Sequence, residues 1–142
     1  ASVRQALENS TKNHSENLMI VDLMRNDLAR ICIENSVKVH ELAKLYSYAT
    51  IHHLISNVQG QLKPNVAHSD IFRATFPPGS MTGAPKIAAM QWCETKETCE
   101  RGAYSGVIGW LGAKSTCDFS VLIRSIIVSG NRFEFQVGAG IV

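Results

Sequence analysis

The sequence predicts an α+β fold with antiparallel strand pairing. Three observations predict it. Glu16–Cys32 carries apolar residues at Ile20, Leu23, Met24, Leu28 and Ile31, the i, i+3, i+4 stripe of a core-facing helix. The second half holds runs rich in β-branched and aromatic residues. Ser129-Gly130-Asn131-Arg132 places Gly-Asn where a two-residue hairpin turn is needed.

The elements follow in order. Residues 1–32 read as helical, with Asp22, Arg25, Asn26 and Arg30 on the face away from the stripe. Ser36–Leu42 alternates, with Val37 and Val39 on one face, and Tyr48–Gly60 is a second strand. Pro64-Asn65 breaks the pattern, and Ser69-Asp70 starts a short helix to about Phe76. Pro77–Gly83 is a Gly/Pro loop. Pro85–Lys96 is a helix whose early proline suits its first turn. Three strands close the chain: Tyr104–Gly112, Asp118–Val128 and Arg132–Gly138.

The 142 residues suit one domain. Hydrophobic residues make up 45% and charged residues 18%, which excludes a disordered chain. A net charge of +2 gives no basic excess for a nucleic-acid partner. No apolar run reaches the length of a membrane span, and residues 1–10 are too polar for a signal peptide. Cys32, Cys93, Cys99 and Cys117 have no metal-binding spacing, so they read as buried, reduced thiols of a cytoplasmic protein. Ala1 begins inside helical sequence and Val142 stops on an apolar strand residue. The chain therefore reads as part of a longer domain, truncated at both ends. The low charge would then reflect faces that meet absent neighbours, and an isolated piece would self-associate.

Four features sit in costly places. Glu16 lies about 40° from Ile20 and about 20° from Leu23 and Asp27 around a helix, on the apolar stripe. It is a ligand for a cation or a helix-start carboxylate near the positive dipole end. Arg124 sits in the nearly apolar run DFSVLIRSIIV and needs an anion, either a ligand or an internal partner such as Asp118 or Glu134. With the two turns placed at Gly130-Asn131 and Ala113–Thr116, Arg124 falls opposite Val137, next to Gly138, opposite Ser105 and diagonal to Tyr104. Phenol, guanidinium and the backbone of Gly138-Ala139-Gly140 then form a carboxylate-binding row. The loop Phe76–Lys86 exposes backbone N–H groups at a helix start. It is an anion site, or a helix cap made by Ser80 or Thr82. His53 is a structural strand histidine or a general acid, and its neighbour His52 points to the opposite face.

The order of these motifs carries more than any one of them. ENLMIVDLMRNDL at Glu16–Leu28 is followed by Tyr48–Ser56, PGSMTGAPK at Pro78–Lys86 and RGAYSGVIGWLG at Arg101–Gly112. DFSVLIRS at Asp118–Ser125 and GAGIV at Gly138–Val142 complete the series. Across essentially the whole chain it resembles the chorismate-utilising enzymes, with GSMTGAPK most like the aminodeoxychorismate (para-aminobenzoate) synthase component I branch and the anthranilate synthase component I branch close behind. The resemblance implies a portion of a sandwich of two antiparallel sheets with outer helices. It implies that Glu16 ligates the Mg²⁺ that holds the ring carboxylate of chorismate. It further implies that His53 stands near the departing C4 hydroxyl and that Tyr104 and Arg124 contact the pyruvyl carboxylate. Ser80, Thr82 and Gly83 would line the site, Gly138 and Gly140 would be backbone donors, and Lys86 would be structural. The implied reaction is amination of chorismate at C4, for para-aminobenzoate and folate synthesis, with ammonia from a glutamine amidotransferase. The alternatives are anthranilate synthesis and a folded piece that only binds. The family's enzymes are about three times longer, so these residues would hold about half a site and would not turn over chorismate alone.

Overall fold

The computed structural model describes residues 3–113 and 116–138. They form two compact units, one ending at Thr75 and the other beginning at Phe76.

The first unit opens with α1 (Val3–Glu8) and α2 (Thr11–Ile31). The single helical stretch expected over residues 1–32 is interrupted because Ser10 turns extended and caps α2, its Oγ accepting the Asn13 N–H at 3.3 Å. Asp22, Arg25, Asn26 and Arg30 are exposed, as the stripe requires, and Val21, Asp27 and Ile31 are buried. β1 (Lys38–Ser47) and β2 (His52–Gln59) pair antiparallel from Lys38↔Gln59 to Ser47↔His52. Tyr48–Ile51, expected in strand, is the turn, closed by Tyr48 N–H to the Ile51 carbonyl at 2.8 Å. β1 runs past its expected end at Leu42 through a bulge in which Leu42 and Ala43 together face Ser56. α3 (His68–Thr75) lies where expected, its start tied by Asp70, which accepts the Ala67 N–H at 3.0 Å. The core gathers Ile31, Cys32 and Ala74, with Leu28, Val37, Val66 and Ile71 packed on them. Gly60 has no room for a side chain, since a Cβ there would lie 2.6 Å from Cys32 Sγ.

The second unit begins with α4 (Gly79–Thr82), one helical turn inside the expected loop, and α5 (Lys86–Lys96). Neither Ser80 nor Thr82 caps α5. Its N-cap is Pro85, without a side-chain bond, and the Thr82 hydroxyl faces the carbonyls of Pro78 and Gly79 at 3.4 Å. β3 (Val107–Leu111) pairs antiparallel with β4 (Cys117–Val121), and β5 (Ile126–Ser129) with β6 (Arg132–Phe135). The hairpin turn at Gly130-Asn131 is present, with Ser129↔Arg132 its last pair and Gly130 at φ 59°.

The strand expected over Asp118–Val128 is broken at Leu122–Ser125. The Ile123 N–H turns back to the Val121 carbonyl at 3.1 Å, and Arg124 adopts φ 53°. At Arg124 the left-handed bend carries the chain out of the ladder, which ends at the pair Val107↔Val121. Tyr104 also lies outside β3, in successive tight turns from Arg101 to Gly106.

Candidate functional site

The candidate residues fall into the two units: Glu16 and His53 in the first, and Ser80, Thr82, Gly83, Tyr104, Arg124 and Gly138 in the second. Gly140, with Ala139, lies outside the described residues.

Glu16 is half-buried on α2, its carboxylate 3.7 Å from Lys12 one turn earlier. That exposed pair is weak and leaves the carboxylate free to take a harder partner. Among the described residues no group of three His, Cys, Asp or Glu side chains gathers to hold a metal. Glu16 offers one carboxylate, a hard oxygen donor of the kind of which Mg²⁺ takes one or two. His53 is half-buried in β2 opposite Tyr46, with its ring edge-on to Tyr48 at 6.5 Å.

The helix bearing Glu16 is fastened to the strand bearing His53 by the next residue along. Asn17 donates to the Leu54 carbonyl at 3.4 Å and accepts from the Ser56 hydroxyl. Ser56 Oγ in turn accepts the Ala43 N–H at 2.8 Å, inside the bulge. Composition and spacing gave no sign of this chain of bonds, because it depends on which residue a bulge leaves unpaired.

In the second unit Tyr104 and Gly138 meet. A Cβ at Gly138 would lie 2.7 Å from the Tyr104 hydroxyl, so only glycine lets the phenol approach that backbone. The expected row is thus formed at Tyr104 and Gly138 and missing at Arg124. The expected register is also off by one step. Gly112 N–H bonds to the Thr116 carbonyl at 2.8 Å and Val107 pairs with Val121, which aligns position 124 with Tyr104 instead of Ser105. With β6 ending at Phe135 and the chain bent at Arg124, neither ladder reaches the guanidinium, which is exposed. Glu134, one expected internal partner, pairs with Arg132 at 2.7 Å.

Tyr104 lines a cavity of about 340 Å³ together with Arg101, Leu122, Ser125, Arg132 and Gln136. That volume suits a small organic ligand, to which the Tyr104 phenol offers a donor; the guanidinium groups of Arg101 and Arg132 are paired with Glu97 and Glu134. Arg101 is the residue the sequence reading passed over. Its guanidinium binds both oxygens of Glu97, the Met81 carbonyl at 2.9 Å and the Ser105 hydroxyl at 2.9 Å. Ser80 is exposed on α4, while Gly83 ends that turn at φ 133°, its N–H on the Gly79 carbonyl at 3.0 Å. A larger cavity in the first unit, about 560 Å³ and lined by Glu8, His14, His40, Glu41 and Lys44, contains none of the candidate residues.

The thiols are free. Cys32 is buried, and burial pushes its pKa up against the opposing charge of Lys63. Cys99 and Cys117 are exposed, which corrects the expectation that all four are interior, and Cys93 is half-buried.

A family model for chorismate binding enzymes matches residues 1–142. The chain is 43% identical over 142 residues to an aminodeoxychorismate synthase of Streptomyces pristinaespiralis, covering 100% of this chain and 20% of that protein. It is 43% identical over 136 residues to aminodeoxychorismate synthase component 1 of Escherichia coli strain K12, covering 96% and 30%. The crystal structure of anthranilate synthase component I from Streptococcus pneumoniae TIGR4 superposes with a TM-score of 0.86 at 37% identity, covering 93% of this chain and 30% of that one. The chain thus spans between 20% and 30% of the length of these relatives.

Proposed function

This chain belongs to the chorismate binding enzymes, and from that premise we propose that it carries part of the catalytic site of an aminodeoxychorismate synthase. The reaction is replacement of the C4 hydroxyl of chorismate by an amino group, with the pyruvyl ether retained and ammonia delivered by a glutamine amidotransferase partner. The observation that carries this reading is the 43% identity to an aminodeoxychorismate synthase along all 142 residues.

The site residues take roles that their surroundings allow. Chorismate has two carboxylates and a poor leaving group, hydroxide. One carboxylate suits the cavity beside Tyr104, where the phenol hydroxyl supplies a donor and Gly138 admits close backbone approach. Arg124 is the further cation assigned to that carboxylate; exposed on its bend and outside the cavity lining, its guanidinium must turn inward to reach it. Ser80, Thr82 and Gly83 wall the site, and Gly140 adds a backbone donor. Glu16 would hold Mg²⁺, which when bound supplies a hard electrophile for the second carboxylate. His53 protonates the departing oxygen, a role for which imidazole is suited near neutrality.

The TM-score of 0.86 to an anthranilate synthase component I favours a second reading, in which the amino group enters at C2 and pyruvate is lost. Product analysis separates them. The complete protein that carries this chain, given chorismate, an ammonium salt and Mg²⁺, is expected to form 4-amino-4-deoxychorismate with no release of pyruvate, and chelation of Mg²⁺ is expected to abolish the reaction. Fluorescent anthranilate with stoichiometric pyruvate would overturn the first reading in favour of the second.

A further inference from the structure

Arg101 addresses three separate pieces of the second unit. Glu97 lies just past the end of α5, Met81 lies in the turn α4, and Ser105 follows Tyr104. The guanidinium reaches all of them at hydrogen-bond distance, with Nε donating to Glu97 Oε2 at 2.8 Å and Nη1 to the Met81 carbonyl and the Ser105 hydroxyl at 2.9 Å each. The Arg101 carbonyl also accepts the Tyr104 N–H at 3.0 Å. Ser105 is buried and held at φ 69°, a left-handed conformation that strains a non-glycine residue. Such a residue persists where its surroundings over-determine it, and the bond from Arg101 is one of those constraints.

We propose that Arg101 is a positioning residue for substrate, its planar guanidinium fixing the Pro78–Gly83 loop against the Tyr104 turn so that both face the same ligand. The inference rests on the chorismate reading for the identity of that ligand, and on geometry alone for the coupling. A lysine cannot replace the arginine, because one ammonium does not present a planar fork to a carboxylate, a carbonyl and a hydroxyl. Ser105 is the most selective probe of the same device. Its hydroxyl joins the Tyr104 turn to the guanidinium, while the Glu97 and Met81 bonds do not depend on it.

The test uses the complete protein. Arg101→Lys is expected to raise KM for chorismate about tenfold, the scale of one lost hydrogen bond to a charged group, with kcat changed less. Ser105→Ala is expected to raise KM about threefold by losing one such contact. An unchanged KM in either variant overturns the proposal, as does a fall in kcat at constant KM. Should Arg101→Lys fail to fold, Ser105→Ala decides the matter. A readout free of substrate accompanies these. Amide hydrogen exchange at Gly83 is expected to quicken in Arg101→Lys, and wild-type protection there would overturn the coupling. A wild-type protein that does not aminate chorismate defeats the functional reading alone, and the exchange measurement still judges Arg101.

Discussion

Glu97 accepts hydrogen bonds from Arg101 on both carboxylate oxygens, and these hold its carboxyl below its ordinary pKa, with burial acting in the opposite direction. A carboxyl whose folded pKa is depressed contributes stability at pH values above its unfolded pKa, and that contribution disappears as pH falls through the folded pKa. Glu97→Gln is therefore expected to lower the melting temperature near neutrality. The gap to wild type should close as the pH drops below about 4. Thermal melts across that range check it, and a gap that persists in acid would show that the charge is not what matters. Solvent screens the exposed half of this pair, so the effect sits at the small end for an ion pair. Counting along the strands placed Tyr104 in one row with Gly138, and the two do meet. Arg101 was not legible, because an arginine three residues before a tyrosine reads as a solvated charge until the turn folds back on it.

At the scale of elements, the β1–β2 bulge shows what a periodic reading captures and where it stops. Alternation over Ser36–Leu42 identified β1 and ended at Leu42, where the bulge sets two residues opposite one and shifts the pairing by a position. β-Branched composition over Tyr48–Gly60 found β2 and overran into Tyr48–Ile51, since nothing in residue type separates that turn from its strand. Ala43 occupies the left-handed position of the bulge at φ 45°. Glycine at that position avoids about 1–2 kcal/mol of strain and returns about 0.5–1 kcal/mol in unfolded-chain entropy. Ala43→Gly is thus expected to raise the unfolding free energy by a net of about 0.5–1 kcal/mol, read as a higher urea midpoint at unchanged slope, and a lower midpoint would mean the conformation is not strained. The break at Arg124 was illegible for a related reason. Leu122–Ser125 contains no glycine or proline to announce a bend.

For the whole molecule, the sheets of the second unit bury little of their apolar surface. Trp110 is 55% exposed, Phe133 69%, Phe135 71% and Val137 84%. Surfaces of this kind are covered in stable proteins, by further chain or by other copies. The 142-residue chain alone is expected to self-associate, with light-scattering mass rising over a concentration series; a monomer at every concentration would contradict this. No helix among the described residues is long and apolar enough to cross a membrane. The α+β class and the hairpin were readable because helix stripes and Gly-Asn turns are local signals. The fastening of α2 to β2 through Asn17 and the meeting of Tyr104 with Gly138 are products of tertiary structure, which local signals do not encode. One further property follows from the close fit of Gly60 over Cys32. The exposed thiols of Cys99 and Cys117 meet an alkylating reagent as soon as it is added, whereas Cys32 is 1% exposed and meets it only when the first unit opens. The chain thus carries its own chemical clock, in which the slow phase of labelling measures how often that core comes apart.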